Sequence, residues 1–142
     1  MAQYRQIDDN FVLGPQPTKG DLEEARQQGI KTVIDLRPPT ETASPNAEPV
    51  REAGLDYVNI PVNRAALSTG QVDELEAALA QHPGPYLVHC ATGARAALML
   101  VLVRARQQGW TAQRAFDEAE AMGFNLRNSE EFASFVRLAT GE

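Results

Sequence analysis

Apolar and polar positions along the chain follow two periods. Short apolar runs rich in β-branched or aromatic residues recur at 11–13, 31–36, 57–60 and 85–89, and segments with helical spacing lie between and after them. Strand-like and helix-like patterns in alternation predict an α/β fold: a central, mostly parallel sheet flanked by helices, in one domain over residues 1–142. Cap residues place the helices. Thr18 with Asp21 three residues on opens a helix that ends at Gly29, and Asn46 opens a short one ending at Gly54. Ser68 with Gln71 opens a third that runs to about Ala80. The run from Ala96 to Val103 is apolar nearly all round, which predicts a helix buried in the middle of the domain. Two further helices are expected, one over 111–122 and one opened by Asn128 with Glu131.

The strand at 85–89 runs into Cys90-Ala-Thr-Gly-Ala-Arg95 and then into the buried helix. In an open α/β sheet, ligands bind just past the carboxyl ends of the strands, so Cys90 falls where chemistry is expected. A thiol is a poor nucleophile while protonated, and the amino end of a helix with a neighbouring cation favours the thiolate. Arg95 supplies the cation and can hold two oxygens of one anion, which lysine cannot. Ala91, Thr92, Gly93 and Ala94 are small, so their backbone N–H groups can turn inward and cradle an anion, with Gly93 at the position that needs φ > 0. Cys90 and Arg95 are therefore the expected catalytic residues, and the four between them the expected substrate cradle. The competing reading of Cys90 is a small buried hydrophobe. His89, alternating with Leu87 and Val88, reads as a core histidine rather than a base.

Arg37 and Glu41 leave the strand at 31–36 on the same sheet edge, where they would border the pocket, Arg37 binding substrate oxygens or Glu41 orienting Arg95; a solvated surface pair is the alternative. Arg64 is a weaker candidate of the same kind, and Asn63 can hydrogen-bond substrate. Arg127 and Asn128 read as solvating and capping residues.

Composition narrows the chemistry. A chain of 142 residues with 43% hydrophobic content can bury roughly 70% of the surface that it exposes when unfolded. One cysteine excludes an internal disulfide, and two histidines at no ligand spacing predict neither metal nor cofactor. A net charge of −6 without a basic stripe excludes nucleic acid as a partner and requires that an anion be caught locally. No signal-peptide core and no run approaching about 20 apolar residues is present, which predicts a soluble, cytoplasmic protein without membrane contact.

The chain resembles the bacterial β-lactamase-hydrolase-like domain, a protein-tyrosine-phosphatase-like fold that carries a rhodanese-length cysteine loop. Four segments carry the resemblance: 11–17, 31–38 with Glu41, 54–62, and above all 84–95 with its CxxGxR loop. It implies either phosphatase or sulfur-transfer activity. Cysteine phosphatases space Cys and Arg by five residues, follow the Arg with Ser or Thr, and use an acid, commonly Asp, to protonate the leaving oxygen. Here four residues intervene, Ala96 follows, and the stretch 61–68 has no carboxylate. Asp35, Asp56 or Asp73 could substitute, but Asp35, on a strand, and Asp73, in the first turn of a helix, have structural explanations that outweigh an acid role. Sulfur leaving groups depart as anions without an acid. The favoured expectation is accordingly a sulfurtransferase working through a Cys90 persulfide, with thiosulfate or a persulfide as donor and a thiol as acceptor. A phosphatase acting on phosphate monoesters is the alternative, and a non-catalytic anion-binding or redox-sensing module the third.

Overall fold

The computed structural model describes residues 4–39 and 47–141. Its elements in chain order are β1 (Arg5–Gln6), β2 (Phe11–Gly14), α1 (Lys19–Gln27), β3 (Thr32–Asp35), α2 (Ala47–Glu52), β4 (Asp56–Asn59), α3 (Thr69–Gln81), β5 (Tyr86–His89), α4 (Ala94–Gln108), α5 (Ala112–Ala121), a 3₁₀ turn (Leu126–Asn128) and α6 (Glu130–Ala139). The strands form one mixed sheet in the order β1-β2-β5-β3-β4, antiparallel only between β1 and β2. β5 thus lies in the middle, paired with β2 from Phe11↔Tyr86 to Gly14↔His89 and with β3 from Thr32↔Tyr86 to Asp35↔His89.

Strand residues alternate between two faces, and each face is buried. Val12, Val33 and Leu87 pack with Leu22 and Ala25 of α1 and Val50 of α2. Their neighbours Leu13, Ile34 and Val88 pack on the opposite side with α3, α4, α5 and α6. α4 is central to that second layer: nine of its residues are buried, and it touches α3, α5, α6, β2 and β5. An all-round apolar stretch must be enclosed on every side, and residues 96–103 of α4 are all buried.

Both full capping boxes form. Thr18 and Asp21 exchange side-chain and backbone hydrogen bonds at 3.0 and 3.1 Å, and Ser68 and Gln71 make the same kind of pair. The expected Asn46 cap lies outside the described residues. Three details differ from expectation. β1 is only two residues long, too short to leave a periodic signal. α4 begins at Ala94 and runs on through Arg104 and Arg106 to Gln108, because those polar residues face outward from an otherwise buried helix. Ser129, not Asn128, caps α6: the Asn125 side chain accepts from the Arg127 N–H and draws 126–128 into a 3₁₀ turn, so Asn128 is used inside that turn.

Among the described residues no helix is long and apolar enough to cross a membrane, and no group of His, Cys, Asp and Glu is placed to hold a metal ion.

Candidate active site

β5 delivers Cys90 to the carboxyl edge of the sheet, where its backbone N–H donates to the Gly14 carbonyl at 3.4 Å and so joins it to the end of β2. The chain then turns over Gly93, whose φ is 101°, before α4 begins with Ala94. A left-handed φ is strained for residues with a Cβ, which explains the glycine. Space explains it too: a Cβ there would meet Cζ of Phe124 at 2.9 Å. The turn aims the Gly93 N–H at Cys90 Sγ, 3.0 Å away. A backbone donor at that distance, with the positive end of the α4 dipole beside it, stabilises negative charge on sulfur. Cys90 is fully buried, Gly93 is buried, Ala94 is half-buried, and Ala91 and Thr92 are exposed.

Arg95 lies in the first turn of α4, and its Nη1 donates to the Val62 carbonyl at 2.9 Å. The side chain is thereby tied across to the segment after β4. Val62 is itself held just past the end of β3, its N–H donating to the Leu36 carbonyl at 2.9 Å. The cysteine loop is thus braced on both sides by the ends of neighbouring strands.

Arg37 departs from both sequence expectations. It is neither solvated nor turned outward, being only 2% exposed, and its guanidinium folds back on Asp35. Nε and Nη2 each donate to a different Asp35 oxygen at 3.0 Å, Tyr57 donates to Oδ2 at 2.9 Å, and the Arg37 N–H donates to Oδ1. Asn59 Nδ2 donates to the carbonyls of both Asp35 and Arg37. Arg37 Nη1 is buried without a hydrogen-bond partner among the described residues. Asp35 and Arg37 share a strand face at i and i+2, a charge pair that the sequence displays. Glu41 lies outside the described residues.

His89 is fully buried with Nδ1 3.9 Å from Asp35 Oδ1. Burial pushes its pKa down to about 4; the Asp35 charge opposes that and the Arg37 charge adds to it. It is therefore neutral at neutral pH, in keeping with a core histidine. Burial alone would raise Asp35, but the hydrogen bonds from Arg37 and the positive charge beside it outweigh that and hold the carboxyl below its ordinary value.

The other two aspartates are also engaged elsewhere. Asp73 on α3 pairs with Arg106 of α4, which Glu76 shares, and Asp56 sits 3.5 Å from His82. Arg127 bridges Asp117 and Glu120 on α5.

Beside the loop lies a groove of about 340 Å³, lined by Ala94 from the loop's end, Phe124 and Asn125 after α5, Ser129 and Phe132 at α6, and Arg64. Phe124 and Ser129 carry no local signal of such a role, because the groove arises only when the segment after α5 is laid against α4. Arg64 was legible as a cation on the loop after Pro61.

Over residues 3–107 the chain matches the family described as β-lactamase hydrolase-like protein, phosphatase-like domain. A β-lactamase hydrolase-like protein of Agrobacterium fabrum (strain C58) is 28% identical over 84% of this chain, which spans only 29% of that relative's length. Among solved structures, a candidate phosphatase of Neisseria meningitidis Z2491 is 29% identical with a TM-score of 0.79, covering 98% of this chain and 99% of that one. TpbA of P. aeruginosa, solved in complex with pTyr, shares the fold at 18% identity, with a TM-score of 0.71 over 99% of this chain and 91% of that one. The match at 3–107 stops within α4, while the structural likeness takes in α5 and α6 as well. The preference for sulfur transfer finds no support in these relatives, which favour the phosphatase alternative. The fold is α/β and protein-tyrosine-phosphatase-like, and the chain belongs to the phosphatase-like domain family of the β-lactamase hydrolase-like proteins.

Proposed function

We propose that this domain is a cysteine-dependent phosphatase acting on phosphate monoesters. The observation that carries the reading is Cys90 Sγ at the junction of β5 and α4, receiving the Gly93 N–H at 3.0 Å, with Arg95 in the first turn of the helix that follows. In this reading the thiolate attacks phosphorus, the S–P bond forms as the P–O bond breaks, and the ester oxygen leaves with its electron pair. Water then attacks phosphorus, releasing inorganic phosphate and restoring the thiolate. Arg95 and the loop N–H groups stabilise charge on the equatorial oxygens as it redistributes. Asp35, Asp56 and Asp73 are each committed to another partner, so aryl esters, whose leaving oxygens are stable as phenolates, are the substrates this site suits best among the described residues.

Sulfur transfer stands as a second reading on one specific observation. The loop places four residues between Cys90 and Arg95, one fewer than in cysteine phosphatases, and an N–H closes on the sulfur, which favours a small sulfur anion over a phosphate ester.

One experiment separates the two. The purified protein and its Cys90→Ser variant are given an aryl phosphate in one tube and thiosulfate followed by cyanide in another. Phosphate release from the wild type alone supports the phosphatase. A mass gain of one sulfur atom, discharged as thiocyanate, with no phosphate release, would replace it with the transferase.

A further inference from the structure

The groove that starts at Ala94 continues the cysteine loop outward. Phe124, whose ring tip lies over Gly93, forms part of its wall, and Arg64, which it shares with the neighbouring groove, lines it too. Among the described residues Arg64 is the only charged side chain lining it. Its guanidinium is 4.4 Å from the Phe132 ring centroid, and Nη2 donates to Ser129 Oγ at 3.0 Å. Stacking and that single hydrogen bond set the plane of the guanidinium while leaving donors over. Its one acidic partner among the described residues, Glu131 at 3.4 Å, is as solvated as Arg64 itself, the two being 60% and 54% exposed, and lines the neighbouring groove rather than this one. A solvated pair of that kind exchanges readily for another anion. Arg64 thus gives this groove a positive charge in a chain of net charge −6.

From this we infer that the groove holds the non-reacting part of the substrate, and that Arg64 reads a second anionic group on it. The inference rests on the proposed phosphatase reading and narrows it to substrates with a second anionic group: an aryl phosphate with a carboxylate or a further phosphate at its far end. Phe124 forms the apolar wall along which the body of the substrate lies, and Arg64 acts as a specificity-determining residue.

The test compares 4-methylphenyl phosphate with 4-(carboxymethyl)phenyl phosphate and its homologue longer by one methylene; the leaving phenols are closely alike. The wild type is expected to favour at least one of the acids in kcat/KM by about fivefold, roughly the worth of one solvent-facing ion pair, and chiefly through KM. Arg64→Ala should bring that ratio to about one, Arg64→Lys should keep part of it, and Glu131→Gln should raise it. A wild type without preference, or an Arg64→Ala variant that loses equally on all three, overturns the inference. The same ratios are read as Kd by calorimetry on Cys90→Ser with and without Arg64→Ala. If nothing is hydrolysed in a Cys90-dependent way, the phosphatase reading fails and the Kd ratio alone decides the groove.

Discussion

Gly93 is the residue on which the cysteine loop turns. At φ 101° an alanine meets backbone strain of about 1–2 kcal/mol, and its methyl also meets the Phe124 ring at 2.9 Å. Gly93→Ala should therefore cost at least that much stability in urea and lower Cys90-dependent turnover at least tenfold, because the N–H that faces Sγ moves with the turn. Adding Phe124→Ala relieves the clash but not the strain, so it should restore part of the stability and little of the turnover. The need for glycine here was legible in the sequence, since a small-residue loop between a strand and a helix has few other ways to turn. Arg37 was not legible to the same degree. Its place on the sheet edge was clear, but whether a guanidinium points into solvent or back onto its own strand depends on Tyr57 and Asn59, which arrive from β4.

Between elements, the ends of β3 and β5 are coupled by a buried charge cluster. His89 has a folded pKa of about 4 against an ordinary value of 6.5, so between those values the unfolded chain binds the additional proton. Stability should fall as pH drops through that window, by as much as about 3 kcal/mol. Asp35, held below its ordinary value, contributes stability above that value and loses it only as pH falls further. Both effects run the same way. Urea midpoints at pH 7 and pH 5 should differ clearly in the wild type and much less in His89→Gln. Strands and helices with their own caps or periodic runs were readable in advance, as at Thr18, Ser68 and the strand at 85–89. β1 was not, because two residues paired to Leu13 and Val12 owe their conformation to a partner strand rather than to their own pattern. The groove shares that cause: its walls come from three separate segments, and no single stretch announces it.

For the molecule as a whole, α4 is the member that the other elements surround. Leu100→Ala, at 1% exposure in its middle, should cost about 2–5 kcal/mol, while Leu138→Ala, 67% exposed on α6, should stay within about 0.5 kcal/mol of the wild type in the same urea titration. The enclosure of α4 was evident from its composition, whereas the strand order was not, since a parallel sheet can thread its strands in more than one sequence. That order has a consequence for synthesis. Among the described residues β5 is the last of this sheet's strands in chain order, yet it takes the central place between β2 and β3. Until it emerges, the edges of β2 and β3 that it will pair lack that partner, and such edges are ones that neighbouring polypeptides can pair with. The strand that brings the cysteine is also the one that ends this exposure, so the hazard of aggregation and the acquisition of the site close in one event.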